Sequence, residues 1–170
     1  MARVPLTFTV NGSEQAEFIE SGALLVEVLR DRLGLTATKV GCQQGSCGSC
    51  TVMIDGKLAL SCLVPAQRVE GRSVTTLEGV ASGSTLHPLQ KAFAEGFAAQ
   101  CGFCTSGMIM AAKALLDTNH NPDRADVVDA ISGNICRCTG YEPIIKAILA
   151  AAAEMRTETA AAGGLEQKSA

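Results

Sequence analysis

Eight cysteines dominate the chemistry open to this 170-residue chain. Four stand at Cys42, Cys47, Cys50 and Cys62, so the first three are spaced C-x4-C-x2-C and the fourth follows at a distance. Four more stand at Cys101, Cys104, Cys136 and Cys138, a C-x2-C pair followed by a C-x-C pair. The first spacing is one in which four thiolates hold a [2Fe-2S] cluster. Its loop runs from Val40 to Cys50, with Gly41, Gly45 and Gly48 set among the cysteines. A loop wrapping a cluster needs positive φ angles and close backbone approach, both cheapest at glycine. The amide N–H groups freed by such a path can point at the anionic sulfurs and stabilise the reduced state. Zinc favours paired C-x2-C hooks and fits this loop poorly. For the second set, zinc and a [2Fe-2S] cluster both stay open on spacing alone. Both of its pairs fall at junctions between expected helices, at or near helix N-termini, where the dipole and unpaired N–H groups favour anions. Arg137, between Cys136 and Cys138, either compensates that charge or joins a surface ion pair.

The rest of the composition narrows the choice. The length fits one ordinary domain or two small ones, and leaves no room for a large enzyme with its own substrate pocket. Charged residues make up 18% of the chain, below the usual share of about 25%. With 47% hydrophobic residues and a mean hydropathy of +0.22, the surplus apolar surface calls for a partner chain. A net charge of -3 and a pI of about 5.4 argue against nucleic acid or an anionic membrane as the main ligand. With Trp absent, one Tyr and five Phe, there is no platform for stacking bases. The N-terminus alternates at Leu6, Phe8 and Val10 and lacks the apolar core of a signal peptide. No run approaches the roughly 18 apolar residues of a membrane span; even Ile144 to Ala153 is interrupted by Lys146. The chain is therefore expected to be cytoplasmic, where cysteines serve as metal ligands or catalytic groups more often than as disulfides. It carries no phosphate-binding loop, dinucleotide fingerprint or Ser-His-Asp set. His87 and His120 read as helix-entry and turn residues, since both cysteine sets are already complete.

The elements that must position these cysteines differ between the two halves. Residues 1 to about 77 hold short alternating or β-branched runs at 6–10, 15–19, 51–54, 58–60 and 72–76. Asn11-Gly12 and Asp55-Gly56 are hairpin turn pairs. One helical pattern, Leu24 to Leu33, is closed by Gly34. That order is a small α+β domain. A small-residue linker, Gly79 to Ser84, precedes four helical patterns: Pro88 to Ala99, Gly107 to Asp117, Arg124 to Ser132 and Pro143 to Met155. Short connections make them a four-helix bundle. The expected organisation is a first domain over 1–78, a linker over 79–86, a helical domain over 87–155 and a flexible tail over 156–170. Phe93, Phe97 and Phe103 are expected in the core, and Met108 and Met110 in core or interface packing. Lys39 and Arg32 are expected on a solvated face.

Three blocks carry a family resemblance: Lys39 to Val52, Gln100 to Met110, and Gly133-Asn134-Ile135-Cys136-Arg137-Cys138-Thr139-Gly140-Tyr141. They closely resemble the small iron–sulfur subunit of the molybdenum hydroxylases, the xanthine dehydrogenase family, over roughly residues 4 to 153. The resemblance implies a plant-ferredoxin-like β-grasp domain with one [2Fe-2S] cluster, near the FAD of a medium subunit. It implies a second [2Fe-2S] cluster in the helical bundle, near the molybdopterin of a large subunit. The implied assembly is a heterotrimer, often doubled, in which this chain is the non-catalytic electron-transfer subunit. Electrons would pass one at a time from molybdenum through both clusters to FAD while a small aromatic, N-heterocyclic or aldehyde substrate is oxidised. Gln100 and Cys138 match positions that lie against the molybdopterin in the family; the plain alternative for Gln100 is a polar helix-end residue. One departure stands out. Ser106 occupies a position where the family usually has Pro, and a small local contact change is expected there.

Overall fold

The computed structural model describes residues 2–166. Five strands form a mixed sheet in the order β2-β1-β5-β3-β4. Strands β1 (Arg3–Val10) and β2 (Ser13–Glu20) pair antiparallel through the Asn11-Gly12 turn. Strands β3 (Thr51–Ile54) and β4 (Lys57–Leu60) do the same through Asp55-Gly56. All four turn residues have positive φ, from 48° to 81°, which matches the right-handed strand twist and explains the Asn-Gly and Asp-Gly choice. Strand β5 (Ser73–Thr75) joins the hairpins, parallel to β1 and antiparallel to β3. Leu6, Phe8, Val10, Ile19, Val52, Ile54 and Val74 fill one face of the sheet. Leu25 and Leu29 close that core from the first helix. This helix is regular only over Leu25–Glu27, called α1 here, and widens into a π turn over Val28–Arg32.

The second half is helical: α2 (Pro88–Glu95), α3 (Thr105–Thr118), α4 (Arg124–Ile131) and α5 (Glu142–Glu166). The whole is α+β. Leu89, Phe93, Met108, Leu116, Ile144 and Ile148 are buried together, each contributing about 1.5–3 kcal/mol by leaving water. Met53 of β3, Val80 and Met110 of α3 form a smaller cluster that ties sheet to helices.

Three expectations need correcting. Helix α2 stops at Glu95 because Gly96 ends it and Phe97 turns to φ 50°. That turn throws Phe97 outward to 83% exposure, and Phe103 in the next loop is also exposed, so neither belongs to the core. Helix α5 passes Met155 and continues to Glu166, so the expected helix end at Met155 falls inside a longer helix. Ala160 to Ala162 are strong helix formers and no proline interrupts them. The end of the expected flexible tail, 167–170, lies outside the described residues.

His87 caps α2: its Nδ1 accepts the Leu89 N–H at 3.2 Å, while Gln90 Oε1 accepts the His87 N–H at 3.0 Å. An accepting Nδ1 must be unprotonated. Burial, and then the Lys113 charge, hold this imidazole below its ordinary 6.5. Stability from the neutral ring is therefore complete above pH 6.5 and fades as pH falls through the lower folded value. A lost cap costs about 1 kcal/mol, or about 2–4 °C in melting temperature at this size. Melting followed from pH 8 down to pH 5 should show this loss, and His87→Asn, which caps without titrating, should flatten it.

Candidate metal centres

The β3–β4 hairpin explains the inner half of the first centre. Thr51 faces Leu60 in register, which brings Cys50, just before β3, beside Cys62, just after β4. Ser61 fixes the pair, its N–H and its hydroxyl both donating to the Cys50 carbonyl at 3.2 and 2.8 Å. Cys50 and Cys62 are buried side by side with Val26, whereas Cys42 and Cys47 are half-exposed on the loop and their side chains meet. Of the loop glycines, Gly45 and Gly48 adopt positive φ, 79° and 71°. Gly41 does not, yet a Cβ there would meet Cys47 Sγ at 2.9 Å.

The second centre repeats this split. Cys104 is the N-cap of α3, and Cys136 follows the end of α4; both are buried in the helical core, side chain to side chain. Cys101 and Cys138 are exposed, with their sulfurs 3.6 Å apart. Gln100 is exposed beside Cys101, and Arg137 is exposed with no carboxylate partner among the described residues.

Each set is thus two pairs, one inward and one outward. Among the described residues no three Cys, His, Asp or Glu side chains gather as ligands of a single ion. A binuclear cluster with four cysteine ligands takes two at each iron. The paired arrangement fits the cluster. Two buried hydroxyls beside Cys104, on Thr105 and Ser106, have no partner within the protein, and the sulfurs of a bound cluster are acceptors for such groups. Ser106, at 5% exposure, is also the residue standing where the resembled family has Pro.

The thiols are tuned unequally. The Gln44 N–H, followed by the Ser46 hydroxyl, draws Cys42 down to about 6. Burial pushes Cys50 up to about 11 and Cys104 up to about 12. Burial would raise Cys136 too, but bonds from the Thr139 hydroxyl and the Thr139 and Cys138 amides outweigh it and the thiol is lowered. Cys138 is raised, chiefly by the Cys101 side chain. The buried Cys50 and Cys104 thiols, raised in this way, would release their protons on binding a metal.

The two centres touch. The Cys47 carbonyl accepts the N–H of Ile135, the residue before Cys136, at 2.9 Å. Buried Asn134 donates from Nδ2 to the Gly48 carbonyl at 2.9 Å. Gly107 of α3 packs on the same Gly48 carbonyl. No sequence argument assigned roles to Asn134, Gly107, Thr139 or Tyr141. Thr139 alone had a local signal, a hydroxyl two residues before Tyr141 able to form a side-chain turn; the others act across long sequence separations.

Comparison with known proteins points to iron–sulfur families. Residues 8–77 match the 2Fe-2S iron-sulfur cluster binding domain family, and residues 76–149 match the [2Fe-2S] binding domain family. The chain is 44% identical over 147 residues to the nicotine 6-hydroxylase small subunit of Paenarthrobacter nicotinovorans, covering 86% of this chain and 88% of that one. It is 53% identical over 148 residues to the aldehyde oxidoreductase of Megalodesulfovibrio gigas, covering 85% of this chain but 16% of that longer protein. The solved quinoline 2-oxidoreductase of Pseudomonas putida 86 has a chain that superposes with a TM-score of 0.88 at 45% identity, covering 91% of this chain and 97% of its own.

Proposed function

We propose a function from one premise: the chain belongs to the [2Fe-2S] iron–sulfur subunits of the molybdenum hydroxylase family. It is an electron-transfer subunit of an oxidoreductase complex, and it works as the conductor between two redox groups held by partner chains. Cys42, Cys47, Cys50 and Cys62 hold one cluster; Cys101, Cys104, Cys136 and Cys138 hold the other. Each cluster, when bound, accepts and releases one electron at a time. The first half, 1–78, is read as a β-grasp domain, the segment 79–86 as a linker and the helices from 87 as a four-helix bundle around the second centre. One observation carries the reading: the Cys47 carbonyl accepts the Ile135 N–H. This gives a short route of covalent bonds and one hydrogen bond from Cys47 to Cys136.

The chain's own residues supply position, water exclusion and donors to sulfur, while the cofactors supply the redox chemistry. Gly41, Gly45 and Gly48 let the loop close on its cluster. Exposed Phe97, Phe103 and Ile135 surround the outward pair Cys101/Cys138 in sequence, and exposed Leu58 and Leu63 flank the Cys62 turn. Exposed apolar residues near both cysteine sets suit two docked partners: a large molybdopterin-binding chain at Gln100 and Cys138, and a medium FAD-binding chain at the Cys42 loop. The assembly is a heterotrimer or its dimer, placed in the cytoplasm. Among the described residues no helix is long and apolar enough to cross a membrane. Oxidation of a small aromatic, N-heterocyclic or aldehyde compound on the large chain would feed electrons through this subunit to FAD.

Iron analysis with EPR of the dithionite-reduced protein tests this. Two distinguishable [2Fe-2S] signals and a co-purifying molybdenum-containing chain are expected. A colourless protein holding zinc would sink the reading.

A further inference from the structure

We propose that the Thr139 hydroxyl sets the reduction potential of the second cluster by donating a hydrogen bond to the Cys136 sulfur. The proposal rests on Cys136 being a ligand of that cluster, as assigned above. Thr139 Oγ lies 3.1 Å from Cys136 Sγ. The direction of the bond follows from the neighbours of both atoms. The Tyr141 N–H donates to the same Thr139 oxygen at 3.1 Å, so a lone pair is already occupied and the hydroxyl hydrogen is free to point elsewhere. A sulfur bound to iron carries no hydrogen and can only accept. Thr139 is therefore the donor.

A third bond closes a ring. The Cys136 N–H donates to the Tyr141 phenolic oxygen at 2.9 Å, which takes that amide away from the sulfur. Tyr141 reaches this position with φ 68°, a conformation that side chains other than glycine rarely hold unless their surroundings impose it. Residues 136 to 141 thus hold an unusual backbone angle where the Thr139 hydroxyl, beside the Thr139 and Cys138 amides, meets the Cys136 sulfur. The site is partly buried and Cys136 is 9% exposed, so bulk water does not readily replace the hydroxyl. A hydrogen bond to a ligand sulfur stabilises the reduced, more negative cluster more than the oxidised one. Loss of the bond must lower the potential.

Potentiometric titration of the full chain, followed by EPR of each cluster, tests this in wild type, Thr139→Val, Thr139→Ala and Thr139→Ser. In T139V and T139A the second cluster's potential should fall by the equivalent of about tenfold in its oxidised-to-reduced ratio, about 59 mV for one electron. T139S should restore most of the shift, and the first cluster should not move. A wild-type potential in T139V overturns the proposal. Loss of the second cluster in both T139V and T139A also overturns it, because the hydroxyl then holds the loop together and does not tune the sulfur. Absence of any [2Fe-2S] signal from the wild-type chain overturns the ligand assignment, and the proposal with it.

Discussion

Cys138→Ala should erase the EPR signal of the second cluster, halve the iron content and leave the first cluster's signal in place. Cys138 is half of the outward pair, its sulfur 3.6 Å from Cys101, and on the proposed assignment these two thiolates are all that the protein offers one of the two irons. Removing one leaves that iron short of a ligand that no neighbouring side chain replaces, since among the described residues no third Cys, His, Asp or Glu gathers there. The first set sits around another core, with Cys50 and Cys62 packed on Val26, and loses nothing. Loss of both signals in a protein that still folds would contradict the division into two independent centres.

Gly107→Ala is expected to produce the second large effect, by forcing the two halves apart. An added Cβ would overlap the Gly48 carbonyl oxygen and crowd Asn134 Nδ2. The obstacle is backbone, which cannot swing aside as a side chain would, so the cost falls in the overpacking range of about 1–3 kcal/mol. The same movement strains the Asn134–Gly48 and Ile135–Cys47 bonds. Both EPR signals should survive, while the melting temperature drops and electron exchange between the clusters slows. Gly133→Ala is the control, because a Cβ there meets nothing within 4 Å. Equal melting temperatures for the two variants would dismiss the seam as a stabilising contact.

The parts of this molecule legible in sequence were those written locally. Cysteine spacing, the Asn11-Gly12 and Asp55-Gly56 turns and the strand runs each need only a few neighbouring residues, and they appear where local rules put them. Phe97 failed for a reason that shows the limit: its four-residue spacing from Phe93 belongs to a helix, but Gly96 ends that helix one residue earlier. Asn134 was invisible because its partner, the Gly48 carbonyl, is 86 residues away. A backbone carbonyl leaves no trace in residue type. The division of each cysteine set into an inward and an outward pair was likewise beyond spacing, since it depends on which core each turn packs against.

That division also bears on how the subunit matures. Cys101 and Cys138 open to solvent while Cys104 and Cys136 are sunk in the helical core. On the proposed assignment, iron and sulfide would arrive from outside and meet the outward pair before the buried one. A partner chain later covering Cys138 would seal the delivery route behind it. Installing the clusters before docking would keep that route open for as long as it is needed.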